Sequence, residues 1–195
     1  MPSLRHNAAA DDALLDAARH CILAVGWKRT TLTDVARRAG VSRMTIYRRW
    51  PDMHTLLSDL MTREWSGVVE RAAVAEGSSA RARLAAGVAA TVSALRGNDL
   101  FGRIVHVDPE LLLPYLLDRR GRTQDSVLAM LETTITEGQQ DGSVRAGAPT
   151  LLARSVLLAA HGFAISAQTM TGEPAPTPQD LDAELRALTE RYLAP

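Results

Sequence analysis

Apolar residues recur at helical spacing through nearly the whole chain, and Gly, Pro, Asn, Asp and Ser punctuate the runs. Residues 1–10 carry no such stripe and read as a flexible arm. From Asp11 the positions Leu14, Ala18, Cys21, Ile22 and Val25 share one face, which predicts an amphipathic helix closed by Gly26. Cys21 falls inside that stripe and reads as a small buried apolar residue rather than a reactive thiol.

The next segment, TTLTDVARRAGVSRMTIYRRW, predicts two short helices and a tight turn. Thr30 or Thr31 can cap the first, whose inward face is Leu32, Val35, Ala36 and Ala39. Gly40 supplies the permissive backbone of the turn. Ser42 caps the second helix, Ile46 and Trp50 form its buried side, and Pro51 stops it. Trp50 reads as an anchor of the small core rather than a base-stacking platform. Two short helices joined across a glycine turn are a helix-turn-helix, and Ala36 leaves room for them to cross.

Further helices are predicted over residues 52–76, 80–96, 99–107, 109–118, 122–140, 150–171 and 179–193. Pro114 should kink or end a helix, residues 141–149 form a loop and 172–178 a Pro-rich linker. The helix at 122–140 turns Val127, Leu128, Leu131 and Ile135 inward, and the last one carries Leu181, Leu185, Leu188 and Tyr192. No strand and no internal repeat is read. Composition agrees: Ala (31) and Leu (26) far outnumber Val and Ile (18 together), which favours helix over sheet.

The formal net charge of zero hides an asymmetry. Within residues 26–50, Lys28, Arg29, Arg37, Arg38, Arg43, Arg48 and Arg49 face only Asp34. A solvated basic face explains such a cluster, and so does a polyanionic partner. On the second short helix the outward residues are Arg43, Met44, Thr45, Tyr47 and Arg48. Arg can fork to guanine, and Thr can hydrogen-bond a base or pack its methyl on thymine. Thr31 and Ser42 are caps that can also touch phosphate.

Enzyme signatures are lacking: there is no GxSxG, HExxH, P-loop or Rossmann glycine pattern. His6, His20, His54, His106 and His161 show no metal-ligand spacing, and one Cys builds neither a disulfide nor a zinc site. No cofactor or metal is expected. Asp108 with Glu110, and Glu132 with Glu137, read as surface charge or as determinants of ligand polarity. No run of 18 apolar residues is present and the N-terminus has no signal-peptide core, so no membrane association and a cytoplasmic location are expected.

Residues 12–57 resemble the DNA-binding domain of the tetracycline-repressor (TetR) family of transcription regulators. TTL at 30–32, DVA at 34–36, AGVS at 39–42, TIY at 45–47 and the aromatic-Pro pair at 50–51 carry the likeness. It implies an all-α fold: a three-helix, homeodomain-like helix-turn-helix domain at 11–57 and a helical ligand-binding and dimerisation domain at 58–195. It further implies a homodimer on a palindromic double-stranded operator, with DNA contacts at Thr31, Ser42, Arg43, Thr45, Tyr47 and Arg48. Many members place a phosphate-binding Lys where this chain has Met53, which leaves that contact absent or moved to Arg49 or His54.

The dimer has its own basis in the residues. Helix 150–171 is apolar nearly all round, with Leu152, Val156, Ala159 and Phe163 on one side and Leu151, Leu157, Leu158 and Ile165 on the others. Its small residues, Ala160 among them, admit a partner helix, and with Leu181, Leu185, Leu188 and Tyr192 of the last helix it would build an intermolecular four-helix bundle. A central core helix of a monomer is the alternative. Candidate ligand-lining residues are Met61, Trp65, Phe101, His106, Tyr115, Met130, His161 and Phe163, each of which also suits a plain core. His161 can be a hydrogen-bonded core histidine, a dimer contact or a pH-sensitive ligand contact. The sequence therefore predicts a DNA-binding regulator, a repressor released by an unknown small-molecule effector. A ligand-independent or architectural DNA-binding protein is the second reading, and a helical adaptor or enzyme that uses the basic segment on an acidic partner is the third.

Overall fold

The computed structural model of the chain describes residues 3–72, 77–174 and 176–195, and every regular element among them is helical. The α-helices are α1 (Ser3–Val25), α2 (Leu32–Arg38), α3 (Arg43–Arg49), α4 (Met53–Ala72), α5 (Ala80–Arg96), α6 (Asp99–Val107), α7 (Arg122–Gln140), α8 (Pro149–Ser166) and α9 (Pro178–Tyr192). The predicted stretch 73–76 of the fourth helix lies outside the described residues. The chain divides into two compact units: residues up to Glu64 with Asp99–Pro114, and Trp65–Asn98 with Tyr115–Pro195. The boundary expected after residue 57 is therefore displaced, and α6 joins the N-terminal unit.

In the first unit α1 starts at Ser3 rather than Asp11, so residues 3–10 are helical backbone and not an arm. The Asn7-Ala8-Ala9-Ala10 stretch explains this, since Ala loses least on entering a helix. Leu14, Leu15, Ala18 and Ile22 of α1 meet Leu32, Val35 and Ala36 of α2, Ile46 of α3 and Leu56, Leu57 and Leu60 of α4 in one buried core. Trp50 closes that core, and its indole N–H donates to Asp59 Oδ2 at 2.9 Å, so its one polar atom is satisfied. Two expectations for α1 change. Val25 is exposed and Cys21 only half-buried, because α1 ends its packing at Ile22. Burial still pushes the Cys21 thiol up, which keeps it a poor nucleophile.

Residues 99–114 belong here through a polar seam as well as through Leu100 and Ile104. Asp108 is buried, not surface charge, and its carboxylate accepts the Trp27 N–H at 3.3 Å. Glu110 pairs with Lys28 at 3.0 Å. After α6 the chain makes a 3-10 turn at Pro109–Leu111 and a π-type turn at Pro114–Asp118, in line with the break expected at Pro114.

The second unit is a helical bundle in which α5 packs against α7, α8 and α9. Leu84, Val88 and Val92 of α5 meet Leu128, Leu131 and Ile135 of α7, Leu152 and Val156 of α8 and Leu185 of α9 in its core. Arg96 ties three helices: it pairs with Asp182 and donates to the carbonyls of Phe163 at 3.3 Å and Pro178 at 3.4 Å. The C-terminal end is sewn down by Arg145, whose backbone N–H and Nε donate to the carbonyls of Leu193 and Tyr192 at 2.9 and 2.8 Å.

Candidate nucleic-acid interface

The helix-turn-helix is set by local chemistry. Thr31 begins α2 with a reciprocal capping box: its Oγ accepts the Asp34 N–H at 3.2 Å, and Asp34 Oδ2 accepts the Thr31 N–H at 3.2 Å. The Thr31 hydroxyl also donates to that carboxylate at 2.6 Å, and this bond above all holds the Asp34 carboxyl below its ordinary value. A phosphate contact from Thr31 thus requires its hydroxyl to turn away from Asp34. Gly40 makes the turn at φ +69°, a left-handed backbone that side chains with a Cβ disfavour. Ser42 then caps α3 by accepting the Thr45 N–H at 3.2 Å, and the two hydroxyls share a hydrogen bond at 2.9 Å.

Burial decides which face of α3 is free. Ile46 is fully buried and Trp50 follows it into the core, while Arg43, Met44, Tyr47 and Arg48 are exposed and Thr45 is half-buried. Among the described residues the side chains of Arg38, Arg43 and Arg48 make no ion pair or hydrogen bond. The other cations of the basic stretch are engaged: Lys28 with Glu110, Arg37 with Asp34 at 2.8 Å, Arg49 with Asp11 at 2.7 Å, and Arg29 with the Val25 carbonyl at 3.0 Å. Arg49 also stacks its guanidinium 5.7 Å from the Trp50 ring. Of the two substitutes considered for a Lys at Met53, Arg49 is thus paired, and His54 packs edge-on against Trp27 at 5.4 Å. What remains is a seven-residue helix whose exposed side chains include two uncommitted guanidiniums, a phenol and a thioether, the chemistry of a major-groove reader.

The residues singled out for ligand binding fall in both units. Met61, Phe101 and His106 lie in the first unit, the former two buried in its core and His106 exposed. Trp65, Tyr115, Met130, His161 and Phe163 lie in the second, and Met130 is exposed there. Two of these are linked by a residue the sequence reading passed over. Gln124 Nε2 donates to the Tyr115 carbonyl at 3.1 Å and lies 3.4 Å from His161 Nε2, while its Oε1 accepts the Gly121 N–H at 2.8 Å. Burial pushes the His161 imidazole down, which favours the neutral ring beside the Gln124 amide. Nothing in the sequence marked Gln124, because a glutamine on a helix is ordinary surface unless the fold turns it inward.

Comparison with known proteins accords with this geometry. The family model for bacterial regulatory proteins of the tetR family matches residues 14–60. An uncharacterized HTH-type transcriptional regulator of Mycobacterium bovis is 38% identical over 154 residues, which cover 79% of this chain and 79% of that protein. The chain belongs to the TetR family of transcriptional regulators. Solved structures share the fold of this regulator. A protein of unknown function from Rhodococcus sp. RHA1 superposes with a TM-score of 0.73 at 23% identity, covering 95% of this chain and 96% of that one. The transcriptional regulator FadR from Bacillus subtilis, solved in complex with stearoyl-CoA, superposes with a TM-score of 0.66 at 20% identity, covering 93% and 96%. The family and this relative are transcriptional regulators, not enzymes.

The second unit of this TetR-family regulator leaves large apolar side chains exposed on α8 and α9. Leu151 and Leu158 of α8 are 63% and 71% exposed, and Leu188 and Tyr192 of α9 are 48% and 39% exposed. Ala160, Ile165 and Leu181 are half-buried. Leu185, expected in an interface between chains, is instead wholly buried in its own bundle, because α9 turns it toward α5. By length and composition Pro149–Met170 passes for a membrane-crossing helix, a test that the core helix of a bundle also passes. Its inward Leu152, Ala153 and Val156 belong to the bundle core, however, and its outward leucines account for the rest of the apolar character.

Proposed function

We propose that this regulator is a cytoplasmic homodimer that represses transcription from a palindromic operator and leaves it when a small molecule occupies the second unit. The observation that carries the DNA reading is the outward face of α3, where Arg43, Tyr47 and Arg48 are exposed and neither guanidinium is paired. The exposed leucines of α8 and α9 support the dimer, since large apolar side chains left in water favour a cover. Two copies related by a twofold axis present two reading helices to two half-sites, which makes the operator palindromic.

Release requires an effector that binds the DNA-incompetent arrangement more tightly than the DNA-bound one. Trp65, Tyr115, His161 and Phe163, all half-buried in the second unit, are the residues we assign to its binding. The likeness to a regulator solved with stearoyl-CoA makes long-chain acyl-CoA thioesters the first compounds to test.

The test is a footprint on selected DNA with wild-type protein, Arg43→Ala and Tyr47→Ala. Each variant should lose roughly 1–3 kcal/mol of operator affinity with an unchanged melting curve, because both side chains are already exposed. Wild-type affinity in both would refute α3 as the reading helix. Addition of stearoyl-CoA should then dissociate the wild-type complex in a mobility shift.

A further inference from the structure

We propose that Met44 is a specificity-determining residue that reads the C5-methyl group of one thymine in each operator half-site. This rests on the DNA-binding reading of α3 and goes beyond it by naming the chemical group recognised. Met44 is 76% exposed, as exposed as any large apolar side chain of the described residues. It does not sit at the border of the core. At about 100° per residue, Met44 and Arg48 each lie about 160° from Ile46, so they share the centre of the outward face. Arg43 and Arg49 lie nearer the core side, and Thr45 and Tyr47 on the flanks.

A thioether in the middle of a cationic face contributes nothing to phosphate binding. It is flexible and polarizable, suited to packing on apolar groups of irregular shape. Base edges in the major groove carry hydrogen-bond donors and acceptors, and among unmodified bases the thymine methyl is the apolar feature. The other candidate for this contact, Thr45, is half-buried with its hydroxyl tied to the Ser42 cap. Met44 has no such tie: the residues that hold α3 in place are Ser42, Ile46 and Trp50.

The experiment uses full-length protein and an operator obtained by selection from random duplexes. Each thymine is replaced in turn by deoxyuridine, which removes the methyl group and leaves every hydrogen-bonding atom. Wild-type protein should lose affinity at one thymine per half-site by about fourfold, the transfer of one methyl-sized group out of water. Met44→Ala should bind the unmodified operator more weakly and show no penalty at that position. Met44→Leu, which keeps an apolar tip, should retain it. Thermal melting should be the same for all three proteins. Equal deoxyuridine penalties in wild type and Met44→Ala, on an operator that both still select over random DNA, overturn the assignment of Met44 alone. Failure to select any sequence overturns the DNA reading and this assignment with it.

Discussion

Leu158→Glu should split the proposed dimer and leave the chain folded. Leu158 is 71% exposed in the single chain, so the substitution removes almost nothing from the bundle core. In a twofold interface the same residue enters from both copies. Burying one leucine side chain is worth about 1.5–3 kcal/mol, so losing two costs about 3–6 kcal/mol. That range raises the dimer dissociation constant by roughly two to four orders of magnitude. Two carboxylates placed in the same dry surface add to the loss. Sedimentation over a concentration series reads the constant directly, and circular dichroism of the dilute monomer confirms that its helices remain. Leu152→Ala is the contrasting variant. Leu152 is 1% exposed and fills the core beneath the same helix, so its truncation should cost about 2–5 kcal/mol of folding stability. A Leu158→Glu protein that associates as tightly as wild type would refute the assignment of the α8 face to a second copy.

Two further outcomes follow from packing and protonation in the second unit. Gly138→Ala should destabilise the chain by about 1–3 kcal/mol, because the new Cβ would lie 3.1 Å from Val144 Cβ and meet its side chain closer still. Chemical denaturation of Gly138→Ala, Val144→Ala and the double variant checks this, and the double variant should recover part of the loss. Burial depresses the His161 imidazole below its usual 6.5, so the unfolded chain takes up the proton first. The stability attached to the neutral ring is then complete above that value and lost as pH falls below it toward the folded-state value. Melting temperatures between pH 7 and pH 5 should fall more steeply for wild type than for His161→Gln, and identical slopes would exclude His161 as the source.

Local chemistry was legible from residue order. The caps at Thr31 and Ser42, the left-handed turn at Gly40 and the buried pair Ile46 and Trp50 involve atoms within a few residues of one another, so a linear string contains both partners. The outward face of α3 follows from the same periodicity. The tertiary structure decided whatever depends on residues far apart in sequence. It buried Asp108 beneath the Trp27 N–H, brought α6 into the N-terminal unit, turned Leu185 into its own bundle and joined Tyr115 to His161 through Gln124. It also committed Arg49 to the distant Asp11, while Arg43 and Arg48 pair with no carboxylate among the described residues. Charge count and hydropathy are properties of single residues, whereas availability for binding depends on which neighbour the fold supplies.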